Sequence, residues 1–494
     1  MHPAPWLLMA CLFLCTAAGA APAPTSPRAD LLQRPRAIAG TGGYRLVHST
    51  RFAGGQHRRF QLQSQRWPDP VGGAPWSHRV ELLQPDNATP GPALLVINNG
   101  VAVPGDREPH PGNDFSVALL QDLVRTLGMA VISIADVPPQ AMALPGDPTL
   151  RTEDDLVAAT WRRFLDAPDL HEDWPLQLPM TWAARSALDL ADRELPSAQR
   201  PSYIVTGASK RGWTSWLLAL ADARVSHLAP VVMDMNWSAL APHIRQVYGG
   251  RWPVALRPYV SHGITGDLQT PAFARLMARI DPYRYLHGPL APRLALPKLL
   301  LQASGDDFFP PDASRFYLDD LPGISTLRVA PNSDHGGIRR HLRDTLIPAL
   351  RRWRAGAQLP QPHARWHPAH GYLRIDSGAE PVHRAVLWQA HNRDDRDFRY
   401  RCGVVYQAHP IAVHASAVLR VPLRIPAAGW SASFVELHYA DGLVVTTPVQ
   451  VLPQDRYPQH PPAQTGGACA LAPEPVSAPA AALSGPQAQA PRLR

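Results

Sequence analysis

The chain has 494 residues, enough for one large domain with an attachment. Its net charge of +8 is carried almost entirely by arginine, and the densest run, 339–354, also holds Leu342, Ile347 and Leu350 on what reads as one helix. Nucleic-acid binding needs a concentrated basic patch with stacking aromatics, so the run reads as a solvated helix face, and contact with anionic envelope components is what a basic surface still allows. Residues 6–18 are nearly all apolar and lead into Ala18-Gly-Ala20, small residues that suit a signal peptidase. This segment is too short to span a bilayer, and it runs on past Cys11, which argues against lipoprotein processing there. Residues 1–20 therefore read as a signal peptide and 21–40 as a Pro/Ala linker, giving a periplasmic or secreted protein without stable membrane insertion.

Between 45 and 84, apolar and polar residues alternate as in antiparallel strands with one wet face. The pattern then changes to continuous apolar runs at 93–97, 129–134, 203–205, 230–233, 298–302 and 326–329, with amphipathic helices at 115–127 and 339–354. Continuous strands alternating with helices predict a mostly parallel sheet covered on both faces over 41–360. Two long insertions, 137–200 and 236–297, sit where lids or pocket walls belong. From 366 to 455 the period becomes two, and Asp441-Gly442 marks a tight hairpin, so a small antiparallel β-sandwich-like domain is expected. Residues 456–494, rich in Pro, Ala, Gln and Gly, read as a disordered tail. In an exported chain that has lost Cys11 and Cys15 with its signal, Cys402 and Cys469 remain to form one disulfide.

The junctions after the apolar runs carry the chemistry, because open α/β sheets bind ligands beyond the carboxyl ends of their strands. Gly207-Ala-Ser209 lies between a strand and a helix, the setting of the nucleophile elbow in an α/β-hydrolase, although the glycines bracket Ser209 as G-x-S-x-x-G. Serine needs a base to take its proton and an acid to orient that base, in the chain order Ser, Asp, His for this fold. Asp306 follows 298–302 and His335 follows 326–329, which meets that order. Asp307 and Asp234 remain alternative acids, since either ends at a strand junction too. The oxyanion donors are expected to be the backbone N–H groups of Lys210 and of Asn99 or its neighbours. The Lys210 and Arg211 side chains read as solvated, with a bias of the mouth toward acidic groups as the alternative. Trp237 and Trp252 are candidate walls of a substrate pocket. No H-E-x-x-H, P-loop or dinucleotide fingerprint occurs, so neither a metal nor a cofactor is expected.

Four stretches in order, Thr206-Gly-Ala-Ser-Lys-Arg-Gly-Trp-Thr-Ser215, Asp234-Met-Asn236, Ser304-Gly-Asp-Asp-Phe-Phe-Pro-Pro-Asp312 with Phe316-Tyr317, and Val329-Ala-Pro-Asn-Ser-Asp-His335, resemble the PhoPQ-activated pathogenicity-related proteins. The likeness spans about 40–450. It implies a secreted or periplasmic hydrolase-like fold with the serine at 209, the acid at 306 and the base at 335. The expected function is a serine hydrolase acting on a small-molecule ester or a peptide, with ester slightly favoured. The competing reading is a non-catalytic binding or signalling protein on the same scaffold, because fold alone does not fix function.

Overall fold

The computed structural model describes residues 29–32, 43–68, 73–100, 112–413, 418–463 and 466–473. Residues 1–20, read as a signal peptide, lie outside the described residues. So does most of the linker, yet within it Ala29–Leu32 is helical and Leu32 is buried, so that span is not all linker.

A nine-stranded sheet organises the larger part of the chain. In chain order its strands are β1 (Tyr44–Phe52), β2 (Gly55–Arg66), β3 (Pro75–Pro85), β4 (Ala93–Ile97) and β5 (Val131–Ile134). After a short hairpin of β6 (Met142–Leu144) and β7 (Asp147–Arg151), which stands apart, come β8 (Tyr203–Ala208), β9 (Val225–Val231), β10 (Lys298–Ala303) and β11 (Ser325–Ala330). The spatial order is β1-β2-β3-β5-β4-β8-β9-β10-β11. The first three strands run antiparallel to their neighbours, and the remaining pairs are parallel. β4, β5, β8, β10 and β11 are buried along their whole length, as continuous apolar runs require when helices cover both faces. The result is a mixed α/β core with small antiparallel sheets added.

One strand differs from its expected position. The apolar run at 230–233 suggests a strand there, but β9 begins at Val225 and ends at Val231, and Val232 turns away at φ 44°. Ser226 and His227 hide the strand in the sequence, and neighbours satisfy both. The Ser226 hydroxyl bonds Ser202 Oγ at 2.9 Å, and the His227 ring lies 4.8 Å from Trp353.

Beyond the helix Leu342–Arg354, His363–His367, Tyr372–Asp376 and Val418–Pro422 form a three-stranded sheet. Gln407–Ile411, Arg384–Asn392, Trp430–His438 and Val444–Thr446 form a second, on which Gln450–Leu452 also pairs. Leu373, Leu419 and Val421 of the first share one apolar cluster with Val435, Leu437 and Val445 of the second and with Leu346, Leu350 and Trp353 of the helix. Of the span from 456, read as a disordered tail, residues 456–463 and 466–473 are instead held in place. Tyr457 meets His243 at 3.1 Å, Ala472 N donates to Trp252 O at 2.8 Å, and Cys402 is joined to Cys469 in a disulfide. Low-complexity composition does not reveal the partners at His243 and in the segment 251–252, because they lie more than 200 residues away. Residues 474–494 lie outside the described residues.

The two parts of the chain meet through a buried polar network. Asp312 accepts from Arg396 Nη2 at 2.7 Å and bonds His243 Nε2 at 3.0 Å, with all three side chains buried. Burial opposes the charge on Asp312, but His243 and then Arg396 hold its carboxyl well below the usual range. Asp312→Ala would leave the Arg396 guanidinium buried and uncompensated, so we expect a loss of about 3–5 kcal/mol, read as a lower urea midpoint. A midpoint equal to wild type would show that this network contributes nothing.

Candidate active site

Ser209 occupies the turn between β8 and the helix Lys210–Ala221 at φ 57°, ψ −127°. A side chain in this region costs on the order of 1–3 kcal/mol, and it persists only where its surroundings fix it. Two backbone bonds do so: Ser209 N donates to Val231 O at 2.8 Å, and Trp213 N donates to Ser209 O at 2.9 Å. The glycines explain the unusual spacing. A Cβ at Gly207 would lie 2.6 Å from Arg211 O, and one at Gly212 would lie 3.0 Å from Gly207 O. Strand end and helix start therefore touch backbone to backbone, with Gly212 pressed on Gly207 itself. As the first helical residue, Lys210 points its backbone N–H out of the helix N-terminus, where no carbonyl of the helix can reach it.

Asp306 stands just after β10, and its Oδ1 accepts from the N–H groups of Phe308 at 2.8 Å and Phe309 at 3.2 Å. His335 follows β11, and its Nδ1 lies 2.8 Å and 3.0 Å from the two oxygens of Asp306. The Phe308 ring packs at 4.5 Å from the imidazole. On the other side of the ring, Nε2 is buried and has no hydrogen-bond partner. Ser209 and His335 line the same cavity of about 170 Å³, together with Asn99, Phe308, Ile338 and Arg339. Burial disfavours charge on His335, but the Asp306 carboxylate outweighs it and raises the imidazole pKa above its ordinary value.

The two alternative acids face elsewhere. Asp307 lies 3.7 Å from Arg401, and burial, with the adjacent Asp306 carboxylate, pushes it up to about 6. Asp234 is buried against the Tyr317 hydroxyl at 2.6 Å and Gln302 Nε2 at 3.1 Å. Burial pushes it up to about 7, with the charge of Asp306 adding to the shift against the Tyr317 bond.

Several expectations are corrected here. The Asn99 N–H does not face the cavity as a free donor, because it bonds Asn98 Oδ1 at 3.0 Å, and the Asn99 side chain bonds Asn113 at 2.7 Å. The Lys210 and Arg211 side chains are not solvated but buried. Lys210 Nζ lies 2.7 Å from Glu153 and 3.2 Å from Asp154, while Arg211 Nη2 lies 2.7 Å from Glu153. Glu153, which the sequence reading missed, holds this arrangement from a left-handed backbone at φ 48° and lines the cavity. Burial would raise its pKa, but Arg211 and then Lys210 hold it well below the ordinary range. Trp237 stacks on Trp213 at 5.8 Å, and Trp252 lines a separate cavity with Gln246 and Leu268, so neither borders the space that Ser209 enters. The insertion 236–297 contributes no residue to that space, whereas 137–200 contributes Glu153 and Asp154. The helix Gln177–Glu194 of the same insertion buries Met180, Ala184 and Leu188 in the main core, so it is part of the scaffold rather than a lid.

Residues 37–399 match the family model of the PhoPQ-activated pathogenicity-related protein. The chain belongs to that family. It is a secreted or periplasmic family, the location expected from the N-terminal segment. A curated relative, autocrine proliferation repressor protein A of Dictyostelium discoideum, is 27% identical over 406 residues, covering 77% of this chain and 79% of its own. Solved structures with a partly similar trace include an acetyl xylan esterase from Paenibacillus sp. R4 (TM-score 0.43, 16% identity, 67% of this chain and 92% of that one). Another is a glucuronoyl esterase from Solibacter usitatus (TM-score 0.37, 11% identity, 62% and 86%). Among the described residues, no helix is long and apolar enough to cross a membrane, and no group of three or more His, Cys, Asp or Glu is placed to hold a metal.

Proposed function

We propose that this family member is a serine hydrolase acting on carboxylester or amide bonds, built as an α/β-hydrolase over 41–360 with a β-sandwich-like domain over 366–455. The observation that carries this reading is the buried His335 Nε2, unpartnered in the cavity that Ser209 enters, while Nδ1 is bound to Asp306. In this mechanism Ser209 Oγ attacks the carbonyl carbon and His335 Nε2 takes its proton. Asp306 fixes the tautomer and balances the imidazolium. The Lys210 N–H, at the positive end of its helix, stabilises the oxyanion. His335 then returns the proton to the leaving alcohol or amine, and the same base activates the water that releases the acyl group. The segment around Glu153 serves as the wall on one side of the bond being cleaved.

A second reading, a binding or signalling protein that keeps the scaffold, draws on the named role of the Dictyostelium relative as a proliferation repressor. One experiment separates the two. The purified protein is treated with a fluorophosphonate and the adduct mapped by peptide mass spectrometry. Stoichiometric modification of Ser209 is expected. A folded protein that stays unmodified with both large and small probes would favour the binding reading.

A further inference from the structure

Resting on the hydrolase reading, we infer that Arg339 is a specificity-determining residue that selects substrates carrying an anionic group near the scissile bond. Asp114, Glu153, Asp154, Lys210, Arg211 and Arg339 line the cavity. Glu153 is shared by Lys210 and Arg211, Asp154 faces Lys210 and accepts from the Tyr259 hydroxyl at 3.1 Å, and Asp114 faces Arg211 at 3.8 Å. Five of the six charges are therefore engaged with one another within the wall, three carboxylates against two cations. Arg339 is the exception: among the described residues no carboxylate lies within ion-pair distance of it.

Its place is defined rather than random. Arg339 belongs to the single turn Gly337–His341 that follows the base, and its Nε donates to Gly336 O at 3.0 Å. A Cβ at Gly336 would lie 3.3 Å from its Nη2, so the guanidinium lies over the residue next to His335. The bond through Nε leaves the outer N–H groups for a ligand, and a guanidinium presents these in a plane that matches a carboxylate. The neighbouring Arg401 is already engaged by Asp334 at 2.6 Å, so it does not compete for the same anion. In open solvent one such contact is worth little. Beside a cavity that a bound substrate empties of water, it becomes a charge-assisted bond of ordinary strength.

The test uses two matched esters, 4-nitrophenyl hemisuccinate, which carries a carboxylate, and 4-nitrophenyl butyrate, which does not. The wild-type protein is expected to favour the hemisuccinate in kcat/KM, and added salt should shrink that preference. Arg339→Gln should reduce the ratio of the two kcat/KM values about tenfold, chiefly through KM for the anionic ester. Arg339→Lys should recover part of the ratio. An unchanged ratio in Arg339→Gln, or equal losses on both esters, overturns the assignment. Labelling of Ser209 by a neutral fluorophosphonate is run beside it. If wild type labels and the ratio does not move, only the role of Arg339 fails. If wild type does not label, the hydrolase reading fails and the inference goes with it.

Discussion

Asp306→Asn is expected to lower ester turnover by about 10⁴, the scale on which a triad carboxamide holds the wrong imidazole tautomer. Both oxygens of Asp306 lie within 3.0 Å of His335 Nδ1, and the N–H groups of Phe308 and Phe309 fix its rotamer. The amide would keep these bonds in part, so folding should survive while the orientation of the base is lost. The acidic limb of the pH profile should move as well. His335 must be neutral to accept the serine proton, and Asp306 is what lifts its pKa above the ordinary value. Without that carboxylate the midpoint falls to lower pH. Asp307→Asn should do far less, because Asp307 faces Arg401 rather than the imidazole. Comparing kcat for the two variants, with unfolding curves as a control, decides which carboxylate serves the base. Equal losses in both would remove Asp306 from its role.

Much of this site could be read from the chain because its polar residues punctuate apolar runs. Ser209, Asp306 and His335 each stand just beyond a strand buried along its whole length, and such strands leave few polar residues to choose among. What could not be read depends on contacts between distant segments. Nothing near Asn98 signals that its own side chain would take the Asn99 N–H. Lys210 and Arg211 look like surface cations until an insertion more than 50 residues upstream supplies Glu153. The acidic start Glu153-Asp154-Asp155 has an ordinary explanation as favourable charge at a helix N-terminus, which hides its second use. The ordered residues between 456 and 473 escaped for a similar reason, since their anchors at Trp252 and His243 are remote, although the Cys402–Cys469 bond was legible.

Glu153→Gln is expected to lower turnover by about 100-fold, although Glu153 makes no bond to Ser209 or His335. Its carboxylate holds both side chains that follow the nucleophile, and the Lys210 N–H is the proposed oxyanion donor. Releasing Lys210 and Arg211 would let the start of the helix shift, and a displacement of about 1 Å at a reacting centre has a cost of this size. Glu153 has a left-handed backbone, and a strained residue at a cavity wall persists only where other bonds hold it, here the one its N–H donates to Gln140 Oε1 at 2.8 Å as well as those from the two cations. Loss of packing alone would also slow the reaction, so the pH profile carries the decision. The charged groups that bear on His335 are Asp306, Asp307, Asp234, Asp154 and Lys210. Lys210 opposes protonation of the imidazole, and Glu153 now offsets part of its charge. Gln leaves that charge less compensated, so the pKa of His335 falls and the acidic limb moves to lower pH. Asp154 still faces Lys210 and Asp114 still faces Arg211, so the variant should remain folded. A slower enzyme with an unmoved limb would reduce Glu153 to a structural prop. A limb displaced toward lower pH, with Glu153→Asp restoring part of the rate, would make it a positioning residue for both the oxyanion donor and the base.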